Sequence, residues 1–128
     1  MHPAPSIILF TILSGFGFGV IAWVGFLQYF SLISPLEVIA FSILGGFLAV
    51  IGLISSTFHL ANKINAIKSF SQWRSSWLSR EAVASVICLL LVFINISFIF
   101  FEKHSFSLVG IIASLFSIVT VFTTSMIY

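Results

Sequence analysis

Four apolar runs, each about 20 residues or longer, make up most of the chain: Ser6–Ile33, Leu36–His59, Ala82–Phe101 and Ser107–Tyr128. That is the length at which an α-helix crosses the hydrocarbon of a bilayer. Ser34-Pro35 parts the first two runs, because proline ends one helix and begins another. Glu102-Lys103-His104 parts the last two. Both links are short, so neighbouring spans run antiparallel. The expected fold class is all-α: a polytopic membrane bundle of four transmembrane helices, with residues 1–128 as one membrane domain. Segment 60–81 is the one substantial stretch outside the hydrocarbon.

That connecting segment has its own period. Leu60, Ile64, Ile67, Phe70, Trp73 and Trp77 recur every three or four residues, whereas Lys63, Lys68 and Arg74 fall mostly off that stripe. The pattern predicts an interfacial helix between the second and third spans, with tryptophan at headgroup depth. On pattern alone, binding to anionic lipid accounts for it as well as any partner does.

Composition narrows the class further. Hydrophobic residues are 60% of the chain and charged residues 6%, with a mean hydropathy of +1.26. A soluble globular domain carries about 25% charged residues. Five basic residues are too few for a nucleic-acid surface. The one cysteine, Cys88, lies in an apolar run, which leaves no disulfide framework and no thiolate set for zinc or iron–sulfur. The first run exceeds a signal-peptide core and has no basic residue before it, so a retained span is expected. Four of the five Lys/Arg, all but Lys103, lie in the connecting segment. The positive-inside rule therefore places that segment in the cytoplasm, and both termini with it.

Few side chains suit chemistry. His59 closes the second span after Ser55 and Ser56, where a cation complements the helix dipole and an imidazole can also accept a proton near neutral pH. Glu81 is expected in the first turn of the third span, capped by Ser79 and neutralised by Arg80, where a carboxylate is favoured whatever it does. The crossing pattern puts His59 and Glu81 at one membrane face, so the pair could relay a proton. His2, His59 and His104 cannot face each other at one level as a bis-histidine haem requires, and no haem is expected. Gly15, Gly17 and Gly19 lack the βαβ context of a dinucleotide loop. Gly15 with Gly19, and Gly45 with Ala49, suit close helix packing. Gln28 and Asn95 read as interhelical hydrogen-bonding groups, Glu37 and Glu102 as solvated loop acids, and Cys88 as a small core residue.

The segment that opens with His59-Leu60 and closes with Trp73-Arg74-Ser75-Ser76-Trp77-Leu78-Ser79-Arg80-Glu81 resembles the membrane-anchor subunits of the dimethyl sulfoxide reductase family. Their pattern runs His-Leu-Gly-x-Pro, a basic and aromatic stretch, then Trp-Arg-x-Ser-Trp-Leu-Ser-Arg-Glu. Ala61 and Lys63 depart from it where Gly and Pro are usual, as does Ile67 where an aromatic is common. The resemblance implies a multi-pass subunit of the bacterial inner membrane that oxidises menaquinol in anaerobic respiration. Electrons would pass to an iron–sulfur subunit and on to a molybdopterin catalytic subunit. It implies menaquinol as bound substrate, with no haem or iron–sulfur cluster in this chain. His59 and Glu81 are the implied catalytic residues, and His59, Ser55, Ser56 and Arg80 the quinol-binding ones. Lys63, Lys68, Trp73, Arg74, Trp77 and Arg80 are the implied docking surface, in addition to membrane lipid.

Family anchors have about eight spans, so the chain looks like an N-terminal half, with a second half-anchor chain as a conceivable partner. A truncated non-catalytic anchor or assembly protein is the alternative. A small four-helix transporter is less favoured, because it needs an ionisable residue near mid-bilayer and the expected spans hold only Glu37, at an edge. Partner export across the membrane would place the connecting segment outside, against the positive-inside expectation.

Overall fold

The computed structural model describes residues 5–57, 64–72, 74–101 and 107–127. Its long helices are α1 (Pro5–Tyr29), α2 (Pro35–Thr57), α4 (Trp77–Phe100) and α5 (Ser107–Ile127), joined between α2 and α4 by the short α3 (Ile64–Ser69) and a 3-10 turn at Phe70–Gln72. The four long helices are each long and apolar enough to span a membrane. Among the described residues there is no strand.

The turn between α1 and α2 is closed by local chemistry at both ends. Ser31 adopts a left-handed φ of 55°. Its N–H bonds the Gln28 carbonyl at 3.0 Å and that of Leu32 the Leu27 carbonyl at 2.9 Å. This pair of bonds satisfies the last carbonyls of α1, with serine in the position glycine usually fills. Three residues later a capping box starts α2. The Glu37 carboxylate accepts from the Ser34 N–H at 3.0 Å, and the Ser34 hydroxyl accepts from the Glu37 N–H at 3.3 Å. Pro35 takes the first helical position, where its missing N–H costs nothing. Glu37 is thus a capping residue and not a loop acid.

The helix packing order is α2–α1–α5–α4, with α2 and α4 meeting only narrowly. Backbones approach closely where side chains vanish. A methyl group on Gly17 would stand 2.5 Å from the Ala49 nitrogen and the Gly45 oxygen of α2, and one on Gly25 would overlap the Gly110 carbonyl of α5. Gly45 and Ala49 do mediate packing, as expected. Gly15 and Gly19 do not: the space over them is open. They line an apolar groove of about 460 Å³ with Phe16, Trp23 and Phe41. The period placed the glycines on a shared face but carried no information about which face meets a helix. Phe18, Ile21, Ala49, Cys88, Val92 and Ala113 form the buried core, so Cys88 is the core residue it was expected to be.

Several polar groups in the spans are answered across helices, as hydrocarbon favours. Gln28 and Asn95 exchange two amide hydrogen bonds, Nε2 to Oδ1 at 3.1 Å and Nδ2 to Oε1 at 2.8 Å. The Ser114 hydroxyl crosses from α5 to the Ala22 carbonyl of α1 at 2.7 Å.

The interfacial helix expected over the connecting segment is not supported. Helix α3 stops at Ser69, and the N–H groups of Ser75 and Ser76 both turn back to the Gln72 carbonyl at 3.1 Å. Hydroxyls compete with the helix there: Ser71 donates to the Lys68 carbonyl at 2.7 Å and Ser75 to that of Gln72 at 3.4 Å. Ile64 and Ile67 lie on α3 and Trp77 opens α4, so they form no continuous stripe. Leu60, Lys63 and Trp73 lie outside the described residues.

Candidate functional site

One end of the bundle gathers the chemistry. The start of α1 meets the end of α2 there, where the Ser55 hydroxyl donates to the Ser6 carbonyl at 3.0 Å. The start of α4 meets the end of α5 there, through Glu81 and Thr124. Both chain segments that flank the connection therefore emerge at the same end, which is where His59 and Glu81 were expected to meet. His59 itself lies outside the described residues.

Helix α4 begins at Trp77, where hydropathy suggested Ala82. Ser76 precedes it in extended backbone (φ −124°, ψ 126°) and makes no side-chain cap bond. Ser79, expected as the cap, is instead fully buried within the helix. The shift moves Glu81 past the first turn and brings both Arg80 and Glu81 inside a span. Dipole stabilisation falls off within that first turn, so it is a poor account of this carboxylate.

Glu81 is only 3% exposed. Its Oε1 lies 2.6 Å from the Thr124 hydroxyl of α5. A buried carboxyl is tolerated only with such a partner. Nothing in the sequence singles out Thr124. A threonine near the end of an apolar helix carries little signal, and it stands 43 residues from Glu81.

Around Glu81 the expected basic and aromatic residues join in part. The Arg80 guanidinium lies 4.4 Å from the Trp77 ring centroid, and its Nη2 donates to the Arg74 carbonyl at 2.9 Å. Trp77 also meets Phe122 of α5 edge-on at 6.4 Å. Arg74, Trp77 and Arg80 are thereby one unit at the mouth of the α4–α5 interface, and Arg74 and Lys68 are exposed. Ser55 and Ser56 are half-buried at the end of α2, and Ser56 donates to the Leu53 carbonyl at 2.6 Å. With their protons committed to carbonyls, both serine hydroxyls keep only lone pairs to offer a further partner. Among the described residues no group of three or more His, Cys, Asp or Glu is placed to hold a metal ion.

Fold and site together define a multi-pass membrane subunit with a buried carboxylate beneath a basic, aromatic rim. The chain belongs to the DMSO reductase anchor subunit (DmsC) family, whose model matches residues 1–128. It is also 38% identical over 99 residues to a subunit of the sulfite dehydrogenase of Allochromatium vinosum. That match covers 73% of this chain and 30% of the relative, so the chain spans about a third of the relative's length. No solved structure matches.

Proposed function

We propose that the chain is the quinol-oxidising part of the membrane anchor of a dimethyl sulfoxide reductase-like molybdoenzyme. Menaquinol gives up two protons and two electrons as its two O–H bonds break. His59 and Glu81 take the protons, while the electrons leave to an iron–sulfur subunit docked on the basic segment, and from there reach a molybdopterin catalytic subunit. The observation that carries this reading is Glu81, a carboxyl 3% exposed within an apolar span at the end of the bundle where the basic segment lies. Structural ion pairs and dipole effects ordinarily place carboxylates at the surface, and an ionisable group inside a span marks a proton or substrate path.

The remaining roles follow from chemistry. Ser55 and Ser56, as acceptors, suit a quinol hydroxyl. Arg80, fixed on Trp77, holds a permanent positive charge where a quinone oxygen gains negative character. The chain has one cysteine, so the electrons pass to a partner's cluster. The relative belongs, by its name, to a sulfite dehydrogenase, an enzyme that oxidises its substrate. A carboxyl that accepts a proton from quinol returns one to quinone by the same path, so the site serves either direction. We place the connection between α2 and α4 on the cytoplasmic face of a bacterial inner membrane, on the positive-inside rule.

The test is steady-state oxidation of a menaquinol analogue by the assembled complex. Glu81→Gln and His59→Ala are each expected to slow turnover by about a hundredfold or more, with the complex still on the membrane. Wild-type turnover in both variants sinks the proposal.

A further inference from the structure

Thr124 has two acceptors within reach of one hydroxyl. Its Oγ1 is 2.6 Å from Glu81 Oε1 and 2.9 Å from the Thr120 carbonyl oxygen. A hydroxyl has one proton to give and two lone pairs to offer. With Glu81 protonated, the acid O–H donates to Thr124 and Thr124 donates to the Thr120 carbonyl. With Glu81 ionised, the Thr124 proton turns onto Oε1. The Thr120 carbonyl is not orphaned by that turn, because the Thr123 hydroxyl also donates to it, at 2.8 Å. Two other buried hydroxyls, those of Ser85 in α4 and Ser117 in α5, are spent within their own helices, on the Ala82 and Ser114 carbonyls. Thr124 is placed differently, since it bridges helices at the one buried acid among the described residues.

We propose that Thr124 is the positioning residue of Glu81, keeping its carboxyl hydrogen-bonded in both the protonated and the ionised form. This rests on the reading of Glu81 as a proton acceptor at the quinol site. On loading, a quinol O–H bond breaks, its proton joins a Glu81 oxygen, and the quinol electrons leave to the iron–sulfur partner. The Thr124 proton is never released; it swings about the Cβ–Oγ bond from Oε1 to the Thr120 carbonyl. On discharge the Glu81 proton passes to water at the membrane surface and the hydroxyl swings back. A donor that adapts in place spares the carboxyl any movement in a medium where an unmatched polar group is costly.

The experiment uses the assembled complex and a menaquinol analogue, with infrared difference spectroscopy alongside. The protonated Glu81 carbonyl band is identified by its loss in Glu81→Gln. Thr124→Val keeps the shape and removes the hydroxyl, and Thr124→Ala takes its place if valine prevents assembly. Expected are a shift of the Glu81 band to higher wavenumber and a fall in kcat of about ten- to a hundredfold, with KM unchanged. Thr124→Ser is expected to restore both. If the Glu81 band stays put without the hydroxyl, or if serine rescues no better than valine, Thr124 does not position Glu81 and the inference is overturned. If the band shifts while turnover is unchanged, Thr124 does hold Glu81, and the failure lies with the role of Glu81 in quinol oxidation.

Discussion

Gln28 and Asn95 were legible as polar residues in apolar spans, but not as each other's partner. They stand 67 positions apart, and only α5, packed against both α1 and α4, brings them together beside Gly110. Their reciprocal bonds make the two amides strongly non-independent. Replacing either by leucine strands the other amide in a buried, apolar setting, at about 1–3 kcal/mol. Replacing both removes the stranded group, so the double variant should be more stable than the sum of the singles predicts. The expected coupling is about 1 kcal/mol, in keeping with interhelical hydrogen bonds in membranes, read as a double-mutant cycle on unfolding in detergent. Additive losses would mean that the two amides do not depend on each other. Glu81 teaches a related lesson at this scale: its type and rough depth were readable, and its partner Thr124 was not.

Hydropathy reads helices well and their polar ends poorly. The pattern puts the beginning of α4 at Ala82 because Arg80 and Glu81 end the apolar run. Backbone bonding carries the helix back to Trp77 regardless of those charges, as with the Arg80 N–H to the Ser76 carbonyl at 3.2 Å. The stripe of Ile64, Ile67 and Trp77 failed for the opposite reason, since a three-and-four spacing survives in the sequence across a break in the helix. Glycine pairs fail in a third way. Gly15 and Gly25 look alike in sequence, yet one faces open space and the other the Gly110 backbone. Gly25→Ala should therefore separate α1 from α5 and cost about 1–3 kcal/mol as overpacking. Gly15→Ala should be neutral or stabilising by up to about 1 kcal/mol through helix propensity. Thermal unfolding of the two variants in one detergent checks the contrast, and equal losses would contradict the packing described.

For the whole molecule, the number of spans, their antiparallel order and the end at which the chemistry gathers were all present in the pattern of apolar runs. The joining of Arg74, Trp77 and Arg80 into one unit was not, because it depends on the turn at Gln72–Ser76. That unit makes a prediction about the proposed iron–sulfur partner. A lipid surface attracts each basic residue with about 1 kcal/mol and is indifferent to its shape. A protein partner that grips with carboxylates distinguishes guanidinium from ammonium. Arg74→Lys and Arg80→Lys are expected to release the partner subunits from washed membranes, whereas Lys68→Arg leaves them bound. Equal tolerance at all three positions would reduce the segment to a lipid anchor.

The packing order α2–α1–α5–α4 also has a consequence for how the chain is made. Helix α1 is synthesised first among the four, yet two of its working surfaces, Gly25 and the Ala22 carbonyl, meet α5, the fourth to appear. Its Gln28 amide waits for α4. At ribosomal rates of about 5–20 residues per second, that interval is on the order of ten seconds. Through it the α1–α2 hairpin sits in the membrane with a bare glycine face and an unanswered amide. The newborn hairpin therefore completes the packing of its α1 face only when α5 has arrived.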